Sequence, residues 1–439
     1  SSHSGSTVWL ARRTRSSICT LKMPAGGKSK SMPNSHRLPD VAAWYLRRLP
    51  DADRQRLRAN CRAAAASGKP LRLGTLCSGT ESPVPVLQHL ARALRSTFRT
   101  PIQIEHVFSC EFETKKQAWI RTHFPDVEIF SDVIEVGEGE ATSAISGERV
   151  RVPAVDIVIA GFSCKSMSME NNERSSFSKC IEDGTGQTGE TFSGVSAYVE
   201  RYQPSIVICE NVAGITKRIG GHEPAINGVM SSFHGLGYAA NWMLLDTRRF
   251  LLPHRRARCW MWAFRGLDRA KEEAATAMVD SVEALASEVV FSYNKLMAAA
   301  VPGLKKELAA KPPRKLNDRQ ARVVKAHLKR HPQLKGTDWF VDVMKSETRS
   351  TSCVDATPCL VTNSMPYRVQ ERRVLSSKER LACQGIYAED FKKMDRFPER
   401  LLNDLAGNAF STTVCMAVCL ASLAHSCPSK RSRTSSIRP

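Results

Sequence analysis

The chain of 439 residues is short of the features that assign a class at a glance. Its fourteen cysteines include no C-x-x-C pair, which argues against zinc ribbons and fingers. They stand singly, several inside apolar runs (Cys110, Cys209, Cys259, Cys415), the usage of a reduced intracellular protein rather than a disulfide scaffold. His327 and His331 are four apart on an expected helix, but no Cys or carboxylate partner accompanies them and Pro332 follows, so no metal is expected. There is no internal repeat. The longest uncharged run, 405–424, is interrupted by Gly407-Asn408 and Ser411-Thr412-Thr413. That leaves about twelve helical residues, near 18 Å, too short to cross a bilayer, so no membrane partner is expected.

Acids are missing from residues 1–39, which carry seven basic residues, and from 426–439, which carry four. Residues 301–350 hold thirteen basic residues against five acids. These three stretches supply nearly all of the net +21, leaving the rest near neutral. Positive charge concentrated in this way points to a polyanionic partner, nucleic acid before membrane surface. Apolar residues at 42% and charged residues at 24% are ordinary globular usage, which excludes wholesale disorder, collagen and coiled coil. Beginning on serine, the chain reads as a fragment or a processed form. The basic, Ser-rich start fits a nuclear protein or, alternatively, an organelle transit peptide.

Apolar spacing predicts a helix over 40–49 and a second one that Asp51 caps. From Leu71 onward, short apolar strands alternate with helical stretches. The strands are expected at Leu71–Cys77, Glu105–Cys110, Glu128–Phe130, Val155–Gly161, Ser205–Cys209, Asn241–Leu245 and Arg258–Phe264. Near-continuous apolar strands alternating with helices imply a parallel sheet covered on both faces, the α/β doubly wound class. The rhythm lapses from about residue 266, with helices expected over 267–290 and 317–330, and helices return near 377–384 and 411–422. The expected organisation is an N-terminal extension (1–66, partly disordered), a first catalytic segment (67–265), a smaller basic lobe (266–370), a return to the first domain (371–425) and a basic tail (426–439).

Doubly wound sheets hold ligands at the carboxyl ends of their strands. The first strand runs into Cys77-Ser78-Gly79-Thr80-Glu81-Ser82. One glycine permits a close backbone approach, but the G-x-G-x-x-G spacing is absent, which argues against NAD or FAD. The second strand ends in Cys110-Glu111-Phe112, an acid placed for two ribose hydroxyls, and the third in Ser131-Asp132-Val133, an acid placed for an adenine amino group. A nucleoside cofactor without a diphosphate points to S-adenosylmethionine. The fourth strand runs into Ser163-Cys164, a thiol at the working edge, and the fifth into Glu210-Asn211-Val212. Arg256 and Arg258 share one side of an extended segment. A thiol, a carboxyl and two guanidiniums form a site for attack on an electron-poor ring.

In this order the segments resemble the C5-cytosine DNA methyltransferase family over about 71–265 and 371–425. Thr75–Ser82 resembles its cofactor loop, in the variant of some eukaryotic branches. Gly161–Ser168 resembles its Pro-Cys motif, Glu210-Asn211-Val212 its Glu-Asn-Val, and His254–Arg258 its Gln-x-Arg-x-Arg. Arg373–Gly385 and Gly407-Asn408 resemble the ninth and tenth motifs. The resemblance implies catalytic roles for Cys164, Glu210, Arg256 and Arg258. It implies S-adenosylmethionine binding by Cys77, Ser78, Gly79, Thr80, Glu111, Phe112, Asp132, Val133, Ser163 and Asn408. It also implies no metal, duplex DNA as partner with chromatin or targeting factors beside it, a monomer, and target recognition by residues 266–370. Five positions depart from the pattern: Ser163 replaces the proline, Lys165 a glutamine, His254 the first residue of the Arg motif, and Glu81 and Ser82 the second and third glycines. None removes the thiol, the carboxyl or either arginine. The competing readings are a transfer RNA methyltransferase, whose Cys-Phe-Thr tripeptide is missing here (nearest, Pro358-Cys359-Leu360-Val361-Thr362), and an inactive DNA-binding homologue.

Overall fold

A computed structural model describes residues 32–309 and 315–426. The expectations for most of both basic tails fall outside these residues. Seven strands form the central sheet: β1 (Leu71–Leu76), β2 (Ile104–Cys110), β3 (Glu128–Phe130), β6 (Ile157–Ala160), β7 (Ile206–Val212), β8 (Tyr238–Asp246) and β9 (Ala257–Arg265), in the order β3-β2-β1-β6-β7-β9-β8. A small hairpin, β4 (Glu140–Thr142) with β5 (Arg149–Arg151), lies apart from it. The seven expected strands are these seven. The expected all-parallel sheet is corrected at one strand: β9 runs antiparallel to both β7 and β8. Only residues 247–256 join β8 to β9, whereas a parallel pair needs a crossover of about a dozen residues or more.

Each strand feeds two cores because its side chains alternate. Ile157, Ile159, Ile206, Ile208, Trp260 and Trp262 point into one cluster, and Val158, Ala160, Val207, Cys209, Cys259 and Met261 into the other. Each fully buried side chain of this size contributes about 1.5–3 kcal/mol. The first cluster is closed by helices Leu38–Arg48, Asp51–Ala66, Pro83–Phe98, Arg269–Leu285 and Thr412–His425, and the second by helices Gly186–Tyr202 and Ala225–Gly235.

Two expected boundaries move as a result. The segment from Leu38 is not an extension: Trp44, Tyr45, Leu46 and Leu57 are buried in the main core. Asp51 is the first helical residue, and Pro50 holds the cap position. Helix Arg269–Leu285 also belongs to the core, since Trp262 Nε1 on β9 donates to Ala275 O at 2.8 Å. The lobe therefore begins after this helix. Beyond the expected basic helix, Asp318–Arg330, the lobe contains an antiparallel sheet of β10 (Trp339–Asp342), β11 (Ser352–Val354), β12 (Pro366–Arg368) and β13 (Arg373–Val374), which the sequence rhythm did not reveal. Asn317 caps the helix through a capping box with Gln320. The stretch Glu399–His425 is long and apolar enough for a membrane span by composition, but its most apolar window is 94% buried in the core.

A buried polar clasp joins three of the core helices. Ser281 Oγ donates to Asp53 Oδ2 at 2.6 Å, so its lone pair receives His425 Nε2 at 2.8 Å. Ser281→Ala leaves both partners buried with a bond unmade, and about 1–3 kcal/mol of stability should be lost. A urea melt reads this as a lower midpoint with unchanged slope; an unshifted midpoint would mean that the clasp contributes nothing.

Candidate active site

The strand order reverses between β1 and β6, and the crevice outside a reversal is where open α/β sheets hold ligands. The β6 edge carries the thiol. Gly161 N donates to Leu76 O at 2.8 Å, tying the turn to β1. Asn211, at the end of β7, donates through Nδ2 to Phe162 O at 3.0 Å. Ser163 N donates to Thr191 Oγ1 at 2.9 Å, a bond that a proline could not make. Beyond Cys164 the chain turns at once, with Ser168 N donating to Cys164 O at 2.9 Å, and Asn171 Nδ2 holds Lys165 O at 3.1 Å.

Glu210 ends β7 and Arg258 begins β9, and the antiparallel register sets Val212 opposite Arg258. Arg258 Nε lies 3.3 Å from Glu210 Oε1, with both side chains largely buried. Arg258 Nη1 also reaches Cys359 Sγ at 3.7 Å. Burial pushes the Cys164 thiol above its ordinary value; Arg258 and Arg256 pull it down and Glu210 pushes it up. Burial likewise raises Glu210, against the pull of both arginines. Arg258 therefore favours the thiolate, but burial outweighs it.

Arg256 is turned elsewhere. Nη1 donates to Leu360 O at 2.7 Å and Gly407 O at 3.0 Å, and Nη2 to Ala409 O at 3.0 Å. Burial, then the charge of Arg258, lowers it to about 10. It positions the lobe segment at Leu360, between β11 and β12, and the turn at Asn408. Gly407 makes this approach feasible, since a Cβ there would lie 2.3 Å from Thr362 N. His254 is fully buried, and its Nε2 accepts from Leu360 N at 3.1 Å.

The β1 edge carries the second group of residues. At Gly79 (φ 68°) a Cβ would meet Glu111 Oε2 and the Asn408 Cβ, each at 3.9 Å, and Lys116 Cδ at 4.0 Å. Three side chains from two distant segments thus face one glycine turn. Trp119 Nε1 holds Thr80 O at 3.1 Å, and Ser78 Oγ donates to Glu81 Oε1 at 2.6 Å. Glu111 is buried, accepts from Glu113 N at 3.0 Å, and is raised by burial despite Lys116. The Cys77 thiol, pushed up by burial, feels Glu111, Asp132 and Glu81. Asp132 caps the helix Val133–Glu138 by accepting from Ile134 N at 2.8 Å, and Val133 is buried. Phe112 is 82% exposed, an aromatic face free at the crevice. The turn, the ribose-type acid and the exposed ring fit a nucleoside of the S-adenosylmethionine kind. Thr191, Lys116, Trp119 and Cys359 carry no local sequence signal as site residues, whereas Asn211 stands in the Glu-Asn-Val segment. Among the described residues, no group of three His, Cys, Asp or Glu is placed to hold a metal.

The lobe reaches the nucleophile loop directly. Lys345 Nζ pairs with Glu170 Oε1 at 2.7 Å, and Arg349 Nη2 donates to Asn172 Oδ1 at 3.1 Å. On the basic helix, Arg322, Lys325 and Lys329 are exposed, while Arg330 donates to the carbonyls of Ala326 and Glu347.

Residues 90–422 match the profile of the C-5 cytosine-specific DNA methylases. The chain belongs to that family. DNA (cytosine-5-)-methyltransferase DMT5 of Cryptococcus neoformans var. grubii is 39% identical over 198 residues, which are 45% of this chain and 8% of that protein. DMT5 of Verticillium dahliae is 29% identical over 236 residues, 44% of this chain and 10% of that protein. The type II methyltransferase M.NgoBV of Neisseria gonorrhoeae is 24% identical over 168 residues, 36% of this chain and 34% of that protein. The chain thus matches only a small part of the fungal relatives' length. Among solved structures, S. pombe Dnmt2 methyltransferase superposes with a TM-score of 0.47 at 12% identity, covering 80% of this chain and 98% of that one.

The charges around Cys164 make its reactivity an electrostatic readout. Alkylation of Cys164 by iodoacetamide should accelerate with pH along a profile displaced above that of an ordinary thiol, because burial raises its pKa. Arg258→Ala should move the profile further up and Glu210→Gln down, each by about one unit. Shifts of the same sign in both variants would contradict the opposed charges.

Proposed function

We propose that this chain transfers a methyl group from S-adenosylmethionine to C5 of cytosine in double-stranded DNA. The observation that carries the reading is the convergence of the Cys164 thiol and the Glu210–Arg258 pair beside a turn where Gly79, Glu111 and Asn408 meet. A cytosine stacked in a duplex is out of reach of any thiol, so the target base is flipped into the crevice. Cys164 sulfur adds to ring C6. Glu210, with its carboxyl pKa raised, holds or protonates ring N3 and takes the exocyclic amine, which draws electrons from C6. Arg258 stabilises the developing charge on the ring oxygen and steadies the thiolate. S-adenosylmethionine, when bound, supplies an electrophilic methyl carbon to C5. Loss of the C5 proton to solvent then lets the Cys164–C6 bond break with its electron pair returning to sulfur, which restores the C5–C6 double bond of the ring and the thiolate.

The residues that would hold the cofactor are Cys77, Ser78, Gly79 and Thr80 of the turn, Glu111 for the ribose, Phe112, Asp132 and Val133 for the adenine, and Ser163 and Asn408. The basic lobe takes phosphate along the duplex. A monomer acting in the nucleus, with chromatin or targeting partners, is the setting that this charge distribution favours.

Cys164→Ala should abolish methyl transfer while cofactor binding persists, and duplex DNA containing 5-fluorocytosine should form a covalent adduct only when Cys164 is present, because fluorine cannot leave as a proton does. Turnover by the alanine variant would sink the mechanism. Labelling of transfer RNA in place of duplex DNA would transfer the same chemistry to the competing substrate.

On the basic helix, five cations are exposed; Arg319 and Arg330 donate to backbone carbonyls, which leaves Arg322, Lys325 and Lys329 as the set to test. Neutralising all three should weaken DNA binding alike across sequences and flatten the logarithmic salt dependence by about 0.9 for each lost phosphate contact. The methylated sequence context should stay unchanged, since phosphate contacts position without reading bases. An altered context with an unchanged salt slope would put these side chains on base edges instead.

A further inference from the structure

A carboxyl with no cation against it lies buried under the cofactor turn. The backbone of Glu81 is left-handed (φ 58°), a conformation that glycine adopts freely and other residues adopt at a cost. The related motif indeed has glycine here. The glutamate side chain is nevertheless completely buried. Oε1 accepts from Ser78 Oγ at 2.6 Å, and Oε2 has no hydrogen-bond partner. Of the neighbouring hydroxyls, Thr75 and Ser109 favour the ionised carboxyl as Ser78 does, without offsetting its burial; Thr75 Oγ1 also donates to Ser109 Oγ at 3.2 Å, which lies 3.1 Å from His106 Nε2.

The charged and titratable groups around Glu81 leave it uncompensated. His106 Nε2 is 3.8 Å from Oε2, but burial lowers this imidazole to about 4, so it is neutral. The Cys77 and Cys110 thiols are held protonated by burial. Glu111, at the end of β2, adds negative charge, and Lys116, from the next helix, is paired with Glu113 and Asp404. Burial therefore pushes the Glu81 carboxyl up to about 7.

We propose that Glu81 makes the cofactor pocket selective for positive charge, favouring the sulfonium of S-adenosylmethionine over the neutral thioether of S-adenosylhomocysteine. The proposal rests on the reading of this pocket as the cofactor site. The two molecules differ by one methyl group and one charge, and a turn offering only backbone atoms responds weakly to that difference. A carboxylate in a low-dielectric setting responds strongly. The selectivity is also proton-linked. A cation seated on the turn stabilises the ionised form, lowers the Glu81 pKa and expels a proton near neutral pH; a thioether does neither. Selectivity is full where Glu81 is already ionised, above about 7, and is lost as pH falls and the carboxyl protonates.

The test is isothermal titration of the whole chain with S-adenosylmethionine and with S-adenosylhomocysteine, between about pH 6 and pH 8.5, in buffers of differing ionisation enthalpy. For the wild type, the affinity ratio of the two ligands should rise about tenfold across this range, and only S-adenosylmethionine should release a proton. Glu81→Gln should show a flat ratio and no proton release. Glu81→Gly, which restores the residue that the backbone favours, should do the same while still binding both ligands. Retention of the pH-dependent ratio in either variant would overturn the proposal. Failure of the wild type to bind either ligand at any pH is the separate result that overturns the pocket reading itself, and the selectivity with it.

Discussion

The working edge of this protein depends on one buried guanidinium that has no carboxylate partner. Arg256 donates to carbonyls of Leu360, Gly407 and Ala409, three oxygens from two distant segments. A buried cation costs several kcal/mol unless its donors are satisfied, so the two segments are held wherever Arg256 requires them. One brings Cys359 against Arg258; the other brings Asn408 against Gly79. The two halves of the crevice, thiol side and cofactor side, are thus set relative to one another through a single residue just before β9. Because β9 pairs with β7 across seven residues, the same strand fixes Arg258 against Glu210.

That arrangement leaves the thiol deliberately short of activation. Two arginines favour the thiolate, yet burial and the neighbouring Glu210 hold it protonated. Under the proposed reaction this ordering is useful. A permanently ionised thiol would attack any electrophile that entered the crevice, whereas a neutral one waits until a ring with a developing negative charge on its oxygen meets Arg258. The exposed nucleophile loop is braced against the lobe by Lys345–Glu170 and Arg349–Asn172. Both cations are also candidates for duplex phosphate, so occupation of the crevice and release of the loop compete for the same side chains.

Much of this was legible in the sequence, and for physical reasons. Buried strands such as Ile157–Ala160 must be apolar on both faces, so they stand out, and the residue following each one falls at the ligand edge. That logic brings Gly79, Glu111, Cys164 and Glu210 to the crevice without knowledge of the fold. It fails where position is set by long-range contact. The reversal of β9 is invisible because an antiparallel strand at the centre of a sheet is as apolar as a parallel one. The lobe sheet is missed because its strands are two to four residues long, below the length at which alternation is readable. The expected domain border at 266 is wrong for a related reason: an Ala-rich helix carries no label saying which of two neighbouring cores will bury it, and here Ala275, Met278 and Val282 join the main one.

The departures from the family pattern show what the pattern secures. A proline before the nucleophile would fix φ but provide no N–H; with Ser163 the fixing is done by the bond to Thr191. A glutamine at the head of the arginine motif would offer an amide; His254 offers a ring nitrogen that accepts from Leu360 N, and burial keeps it neutral and able to accept. Glycine in the cofactor turn would allow the left-handed backbone at no cost; Glu81 keeps the same backbone and tethers it through Ser78. In each case the constraint moves from the residue itself to a neighbour, contributed by another element for Ser163 and His254 and by the same turn for Glu81. The thiol, the carboxyl and the arginine opposite it have no such substitute, because each one's role is its own functional group rather than the shape of the chain, and these three are unchanged.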